Sequence, residues 1–514
     1  MQIIEDKALL VSAPDPSAIT SRVTKSVETE YGVLVKWGQK EVEQLTALGF
    51  HDAPSPILSK YKWTGRFTPF DHQKETASFL AANKRAFCFN EQGTGKTASV
   101  IWAADYLMKK KFVKRVLVIC PLSIMRASWQ QDVFKFAMHR SCGIAHGTAS
   151  QRAKVIAAGA EFVIINFDGV ATVQDEIIAG GFDLIVVDEA NAYKNAQTNR
   201  WKVLASILKH TNPRLWMMTG TPAAQSPLDA YGLAKMIGAP NCPRFYGAFR
   251  DMVMMSVTKF KWVPKPHAQD VVHAMLQPAI RFEKKECLDL PPVVHVQREV
   301  PLTPQQRKYY LHLKKQLVIE AAGEQVSAVN AAAKVGKLLQ ISGGAVYTDD
   351  GQVLEFDVTN RVNEVLGVIE ETQNKVLVFV PFTHTIDLIK SKLEAEGITC
   401  DVINGSVPVN RRSDIVQRFQ TNPDPKVLII QPQAASHGLT LTAADTIIWY
   451  APVTSVETYL QANARIDRPG QKNNMTIVHI AGSEVEHKLY AMLQSNIENH
   501  QKIVDLYKEE LDTV

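Results

Sequence analysis

Seven short, almost uninterrupted apolar runs constrain the fold of this chain more than any other feature. They cover residues 115–120 (RVLVIC), 162–165 (FVII), 184–187 (LIVV), 215–218 (LWMM), 376–380 (VLVFV), 427–430 (VLII) and 446–449 (TIIW). Each is strand-sized, most are rich in β-branched residues, and longer helical stretches separate them. A strand without polar alternate positions has no face to offer water, so it belongs in a parallel sheet covered by helices on both sides. The runs fall into two sets, before about residue 240 and after about residue 365. Two doubly wound α/β lobes follow. At 514 residues the chain is long enough for more than one core.

The rest of the chain is divided around those lobes. Residues 1–65 read as a small N-terminal α/β module with turn-rich joins such as DAPSP, and 66–240 as the first lobe. Residues 241–365 lack the strand rhythm and read as a linker with helical insertions. They hold a basic-aromatic segment (KFKWVPKP), the turn Pro291-Pro292 and a helix predicted from Pro304 to about Ala322. Residues 366–482 form the second lobe. In 483–514, Val485, Leu489, Leu493, Ile497, Val504 and Leu511 recur mostly at helical spacing, which predicts a helix packing back on the lobes.

Composition excludes several classes. With 46% hydrophobic and 21% charged residues, the chain is globular and not disordered. No apolar run is long enough to span a bilayer, and the start (MQIIEDKALLV) has acids where a signal peptide carries basic residues. A cytoplasmic protein with no membrane partner is expected. The net charge of +5 permits a nucleic-acid partner without requiring one. The six cysteines are scattered and form no CxxC pair, so neither a disulfide framework nor a zinc site is expected. Cys88 and Cys120 sit inside apolar runs and read as buried strand residues.

Chemistry enters with FCFNEQGTGKTASVIWAADYL, which passes from strand through a Gly-rich loop into a helix. Consecutive N–H groups of such a loop point inward at phosphates, and the helix N-terminus adds its dipole. Gln92, Gly93, Thr94 and Gly95 form the wrap, Lys96 brings a positive charge to the β- and γ-phosphates, and Thr97 offers a hydroxyl to Mg²⁺. The full pattern wants glycine at position 90, where this chain has Asn90. A second motif decides the matter. LIVVDEAN ends a buried strand in Asp188-Glu189, at the sheet edge where ligands bind. There Asp188 can hold Mg²⁺ through water and Glu189 can position and polarise the attacking water. ATP and Mg²⁺ are the expected cofactors.

With these residues placed, the chain resembles superfamily 2 ATPases, and more narrowly the Swi/Snf type, from about residue 66 to about residue 495. FDHQKETASFL is similar to the Q motif, with Gln73 where the family reads adenine. VLVICPLSIMRASWQQDVFKF resembles motif Ia, with Pro121, Ser123 and Trp129, and FVIINFDGV resembles motif Ib, with Asn166. TGTPAAQSPLDAYGLAKMIG resembles motif III, with Thr219, Gly220, Thr221 and Pro222. LPPVVHVQREVPLTPQQRKYY is similar to the family's passage into lobe two, through Leu290, Pro291, Pro292, Leu302, Gln306 and Tyr309. AASHGLTLTAAD resembles motif V, with Ser436 and Gly438, although small or polar residues replace its usual early glycines. QANARIDRPGQ resembles motif VI, with Gln461, Arg465, Arg468, Gly470 and Gln471 in register.

The resemblance implies RecA-like lobes, ATP hydrolysis and a nucleic-acid track. It implies that Arg465 and Arg468 reach ATP held by the first lobe, each a charge worth roughly 10³ to 10⁵ in rate in related phosphoryl-transfer systems. It gives Pro121, Ser123, Asn166, Thr219, Thr221 and Ser436 to the nucleic-acid backbone, and Gly438 to the nucleotide. Its Swi/Snf character implies duplex or branched DNA, with replication or recombination proteins as partners. The N-terminal module, through YKWTGRFTPF, is similar to the small DNA-binding module of annealing helicases. One departure is Asn191, where the family's motif II usually has histidine, a residue that links the ATP site to motif III. Two other readings stay open: a strand-separating DNA or RNA helicase, and a non-translocating ATP-dependent switch.

Overall fold

Each of the seven apolar runs is a strand in the computed structural model. The structure describes residues 1–65, 67–220, 226–258, 261–323, 328–347, 353–435 and 439–495. It consists of two compact units, Met1–Leu288 and Asp289–Val514. Among the described residues, no helix is long and apolar enough to cross a membrane.

The first unit begins with β1 (Gln2–Ile4), β2 (Ala8–Val11), β3 (Ser26–Thr29) and β4 (Gly32–Lys36), an antiparallel sheet in the order β1-β2-β4-β3. Its main sheet comprises β5 (Arg85–Cys88), β6 (Val116–Cys120), β7 (Cys142–Ala145), β8 (Phe162–Asn166), β9 (Leu184–Asp188) and β10 (Arg214–Met218). After a hairpin, β11 (Met254–Thr258) and β12 (Lys261–Pro264), the short β13 (Ala279–Ile280) joins that sheet at its edge beside β5. The order is β13-β5-β10-β9-β6-β8-β7, parallel throughout.

Alternation explains why the runs are apolar at every position. Phe87, Leu117, Ile119, Val163, Ile185, Val187, Leu215 and Met217 belong to one core. Their strand neighbours Ala86, Cys88, Val116, Val118, Ile164, Val186, Trp216 and Met218 belong to another. Successive side chains point to opposite faces, and helices dry both.

The small N-terminal sheet is joined to this body by polar contacts. From the helix Gln39–Ala47, Gln39 Nε2 donates to Ala81 O at 2.8 Å and Thr46 Oγ1 to Ala82 O at 3.1 Å. Asn83 Nδ2 donates to His51 O at 3.0 Å, and Ser55 N to Ser78 Oγ at 2.8 Å. All these partners lie in or just after the helix Asp71–Ala82, which also carries Gln73.

The second unit opens with β14 (Val293–Glu299), a hairpin of β15 (Ala345–Tyr347) and β16 (Val353–Glu355), then β17 (Lys375–Phe379), β18 (Cys400–Ile403), β19 (Val427–Ile430), β20 (Ala444–Trp449) and β21 (Met475–Ala481). Its main sheet runs β14-β21-β20-β17-β19-β18, again all parallel. The stretch read as linker therefore supplies an edge strand to each sheet, β13 to one and β14 to the other. The expected helix after Pro304 runs Pro304–Gly323. The tail helix is Glu484–Gln494, while Ile497, Val504 and Leu511 lie outside the described residues.

A buried ion pair ties this unit together. Arg361, from the helix Thr359–Glu371, is fully buried and donates to Ser342 O at 2.9 Å, Ile480 O at 2.9 Å and Tyr450 O at 2.8 Å. Its remaining partner is Glu486, whose other oxygen accepts from the N–H groups of Gly482 and Ser483. Replacing one member leaves the other charged and buried, which costs about 3–5 kcal/mol. Glu486→Leu should lower the unfolding free energy of this unit by about that much in urea titration. A loss under about 1 kcal/mol would mean the pair is not the tie described.

Candidate nucleotide site

Register gathers the first unit's site. Met218 pairs with Cys88 on one side and Asp188 on the other, so β5, β10 and β9 end at one level. The chain leaving each strand forms one ridge at the carboxyl ends: the loop from Asn90, the Thr219-Gly220 turn, and Asp188-Glu189. Thr219 N donates to Cys88 O at 3.1 Å and keeps the first two together. Thr221 lies outside the described residues.

The phosphate loop takes its shape from two left-handed glycines, Gly93 at φ 86° and Gly95 at φ 82°. A side chain at Gly95 would also strike Gln73, whose Nε2 lies 2.1 Å from where a Cβ would stand. Lys96 starts the helix Lys96–Lys109 and turns back on the loop, donating to Asn90 O at 2.7 Å and Glu91 O at 3.1 Å. Thr97 is the second residue of that helix. Thr94 is buried and its carbonyl accepts from Gln73 Nε2 at 3.1 Å, with His72 Nε2 at 2.8 Å from the same oxygen. Gln73 Oε1 accepts from Phe70 N at 3.1 Å. The carboxamide thus braces the loop with one N–H and caps its own helix with one lone pair, leaving another of each.

Asn90, the departure from the glycine pattern, has a structural role. It is buried, its Nδ2 donates to Thr76 Oγ1 at 2.8 Å, and its Oδ1 accepts from Phe282 N at 3.0 Å. Glu91 extends this bracing, with Oε2 accepting from Lys284 N at 2.9 Å. The loop is clamped between the Gln73 helix and the segment after β13. Nothing in the local sequence of residues 279–284 advertises that contact, because only the folded sheet brings it alongside β5.

Asp188 is held through both oxygens. Oδ2 accepts from Trp129 Nε1 at 2.9 Å and Oδ1 from Glu189 N at 3.0 Å. Burial pushes its carboxyl above the usual carboxylate range, against the pull of the Trp129 N–H, the Lys96 charge and the Glu189 N–H. Trp129 itself is fully buried in the π-helical turn Met125–Gln130. Sequence placed it in motif Ia without this role, since its distance from Asp188 along the chain hides the contact. Glu189 sits at φ 54°, ψ 58°, left-handed backbone that costs a non-glycine residue about 1–3 kcal/mol and is typical of functional positions. Asn191 lies in the 3₁₀ turn Ala190–Tyr193.

Residues assigned to nucleic acid sit along the same edge. Pro121 and Ser123 leave β6, and Asn166 ends β8, where it pairs with Cys120. Asn166 Oδ1 accepts from Arg152 Nη2 at 3.2 Å, a cation that sequence reasoning did not single out.

In the second unit, Arg465 and Arg468 lie in the turns after the helix Val456–Asn463, not on it. They nevertheless converge: each donates an Nη1 to Leu439 O at 3.1 Å. Arg468 Nη1 also donates to Thr440 Oγ1 at 2.9 Å, and Leu441 N returns a bond to Arg465 O at 3.0 Å. Gln471 Nε2 donates to Ala444 O at 2.8 Å and fixes the turn that Gly470 makes at φ 105°. Gln461 donates to Glu457 Oε1 at 3.2 Å. Ser436 and Gly438 lie outside the described residues.

Two family models match the chain. The model of the SNF2-related domain matches residues 72–342, and that of the helicase conserved C-terminal domain matches 358–470. Protein p41 of Acyrthosiphon pisum secondary endosymbiont phage 1 is 24% identical over 451 residues, which cover 81% of this chain and 94% of that protein. An ATP-dependent helicase of Mycoplasma genitalium is 25% identical over 398 residues, 76% of this chain, but this chain spans only 37% of its length. Among solved structures, the SWI2/SNF2 ATPase core of Sulfolobus solfataricus in complex with dsDNA has a TM-score of 0.42 at 22% identity, covering 84% of this chain and 92% of that one.

Two substitutions test the site. Lys96→Ala should abolish ATP hydrolysis in a chain that still folds, since the phosphates lose a fixed positive charge; intact kcat would remove the loop from the chemistry. Trp129→Phe keeps an aromatic side chain but removes the indole N–H and with it one bond to a carboxylate, worth roughly 1.5–3 kcal/mol. It should lower kcat about tenfold or more. Unchanged kcat would show that Asp188 does not need this support.

Proposed function

The chain belongs to the SNF2-related family of helicase-like ATPases, and on that premise we propose that it is an ATP-driven motor acting on duplex or branched DNA. One observation supports the reading: the residues expected to serve ATP hydrolysis fall in both units, with the phosphate loop and Asp188-Glu189 in one parallel-sheet unit and the convergent pair Arg465 and Arg468 in the other. A single-unit hydrolase has no reason to divide its groups in this way.

The first unit's residues bind and orient. The loop N–H groups and Lys96 neutralise the phosphates, Gln73 meets the adenine with its spare donor and acceptor, and Glu189 turns the attacking water toward the terminal phosphate. Asp188 and Thr97 are the residues that would hold Mg²⁺, which supplies further charge neutralisation on the phosphates. They fit that role: a buried carboxylate beside a lysine keeps lone pairs beyond those that meet Trp129 and Glu189. Arg465 and Arg468 supply charge in the transition state. On this reading hydrolysis draws on groups from both units, and nucleotide state governs how the DNA is gripped.

Pro121, Ser123, Asn166 and Thr219, with Thr221 and Ser436, are proposed to meet the DNA backbone and not its bases. They belong to short polar loops and not to a recognition helix. Binding then falls steeply with salt and varies little with sequence. A motor of this kind remodels forks or branches, or displaces bound proteins, and its partners belong to replication or recombination.

Arg465→Ala and Arg468→Ala should each lower kcat by roughly 10³-fold while ATP affinity changes little. Lost affinity with normal kcat would make them ground-state contacts. Turnover should be stimulated more by duplex, forked or four-way DNA than by single strands, and with little dependence on sequence. Stimulation by RNA alone, or a salt-insensitive preference for one sequence, would contradict the proposed track.

A further inference from the structure

Gln92 occupies the phosphate loop between Glu91 and Gly93, and its carboxamide has a property that Gln73 lacks. Its Nε2 is buried and has no hydrogen-bond partner among the described residues. The group lies against Gly220, where an added Cβ would meet Nε2 at 2.5 Å and Cδ and Oε1 at 2.7 Å each. Gly220 comes directly after Thr219, whose N–H is bonded to Cys88 O. The amide therefore spans two of the chain segments that leave the sheet at one level.

Leaving a buried N–H unbonded costs more than a typical hydrogen bond returns, and an apolar side chain of similar volume avoids that cost. The fold keeps the amide in the loop whose N–H groups and Lys96 are suited to an anion. The Lys96 ammonium, which meets the β- and γ-phosphates, is bonded to Asn90 O and Glu91 O, the two residues just before Gln92. A terminal phosphate there offers acceptor oxygens to the missing bond, and charge-assisted bonds to phosphate are strong ones. A diphosphate offers fewer.

We infer that Gln92 reads the terminal phosphate: its Nε2–H bonds a γ-phosphate oxygen of ATP, loses that partner in ADP, and passes the difference to the Thr219-Gly220 turn on which it lies. This rests on the loop being the ATP site. A side chain at 220 would displace the amide, which is the flexible end of Gln92. Together the pair gives the site a link between phosphate and turn that does not run through Asn191.

Calorimetric titration of the whole chain with ADP and with a non-hydrolysable ATP analogue tests this. Gln92→Met should weaken the analogue about tenfold, as for loss of a charge-assisted bond, and leave ADP within about twofold. Gln92→Glu, a second variant in case the first fails to fold, should discriminate against the analogue more strongly by repulsion. Gly220→Ala should act in the same direction as Gln92→Met, and the double variant should be no worse than the poorer single one. Equal weakening of both nucleotides would reduce Gln92 to a shaping residue, and an unchanged analogue affinity or a multiplied double effect would reject the inference. Wild-type protein that binds neither nucleotide would reject the ATP site itself.

Discussion

The nucleotide site depends on three parallel strands ending level. β5, β10 and β9 are paired so that Cys88, Met218 and Asp188 stand side by side, and the segment leaving each strand emerges onto one ridge. Packing enforces that register from both faces. Met217 and Val187 are buried in one core, and Trp216 and Val186 in the other. A slip of one residue in β9 would exchange every side chain between the cores and turn Asp188 to the wrong face. The apolar runs therefore do more than fill the interior, because they aim the polar residues at their ends.

This is also why so much could be read from sequence. Runs buried on both faces are apolar at every position, and each of the seven proved to be a strand in one of two parallel sheets. The strands without a run are the informative failures. β7 and β18 lie at sheet edges, and β14 is an edge strand with most of its residues exposed. They have no need to be wholly apolar. β21 is nearly all buried but is broken in sequence by His479, a histidine kept neutral inside. Burial pushes its pKa down to about 3, and Tyr459 and Gln494 meet its two ring nitrogens. At the site, contiguous motifs were legible and long-range supports were not. The tie from Trp129 to Asp188 and the clamp of Asn90 between Thr76 and Phe282 exist only once the sheet has formed.

Burial of charge is handled differently in the two units. Asp188 is a buried carboxyl supported by an indole N–H and a backbone N–H; burial raises its pKa against those bonds and the Lys96 charge, and a cation placed there would favour its charged form. In the second unit, Arg361 and Glu486 satisfy each other, with backbone groups taking up their remaining capacity. Fully matched networks of this kind rigidify. The rigid body they produce carries Arg465 and Arg468 on turns that are bonded to Leu439 O.

Movement along DNA is the central claim, and displacement of a triplex third strand from duplex DNA measures it without requiring strand separation. The wild-type chain should strip the third strand in proportion to ATP consumed. Glu189→Gln, which keeps Asp188 and Lys96 but loses the carboxylate that orients water, should bind ATP and DNA and leave the triplex intact. Displacement by the wild type without nucleotide, or vigorous DNA-stimulated hydrolysis that leaves every third strand in place, would contradict the account.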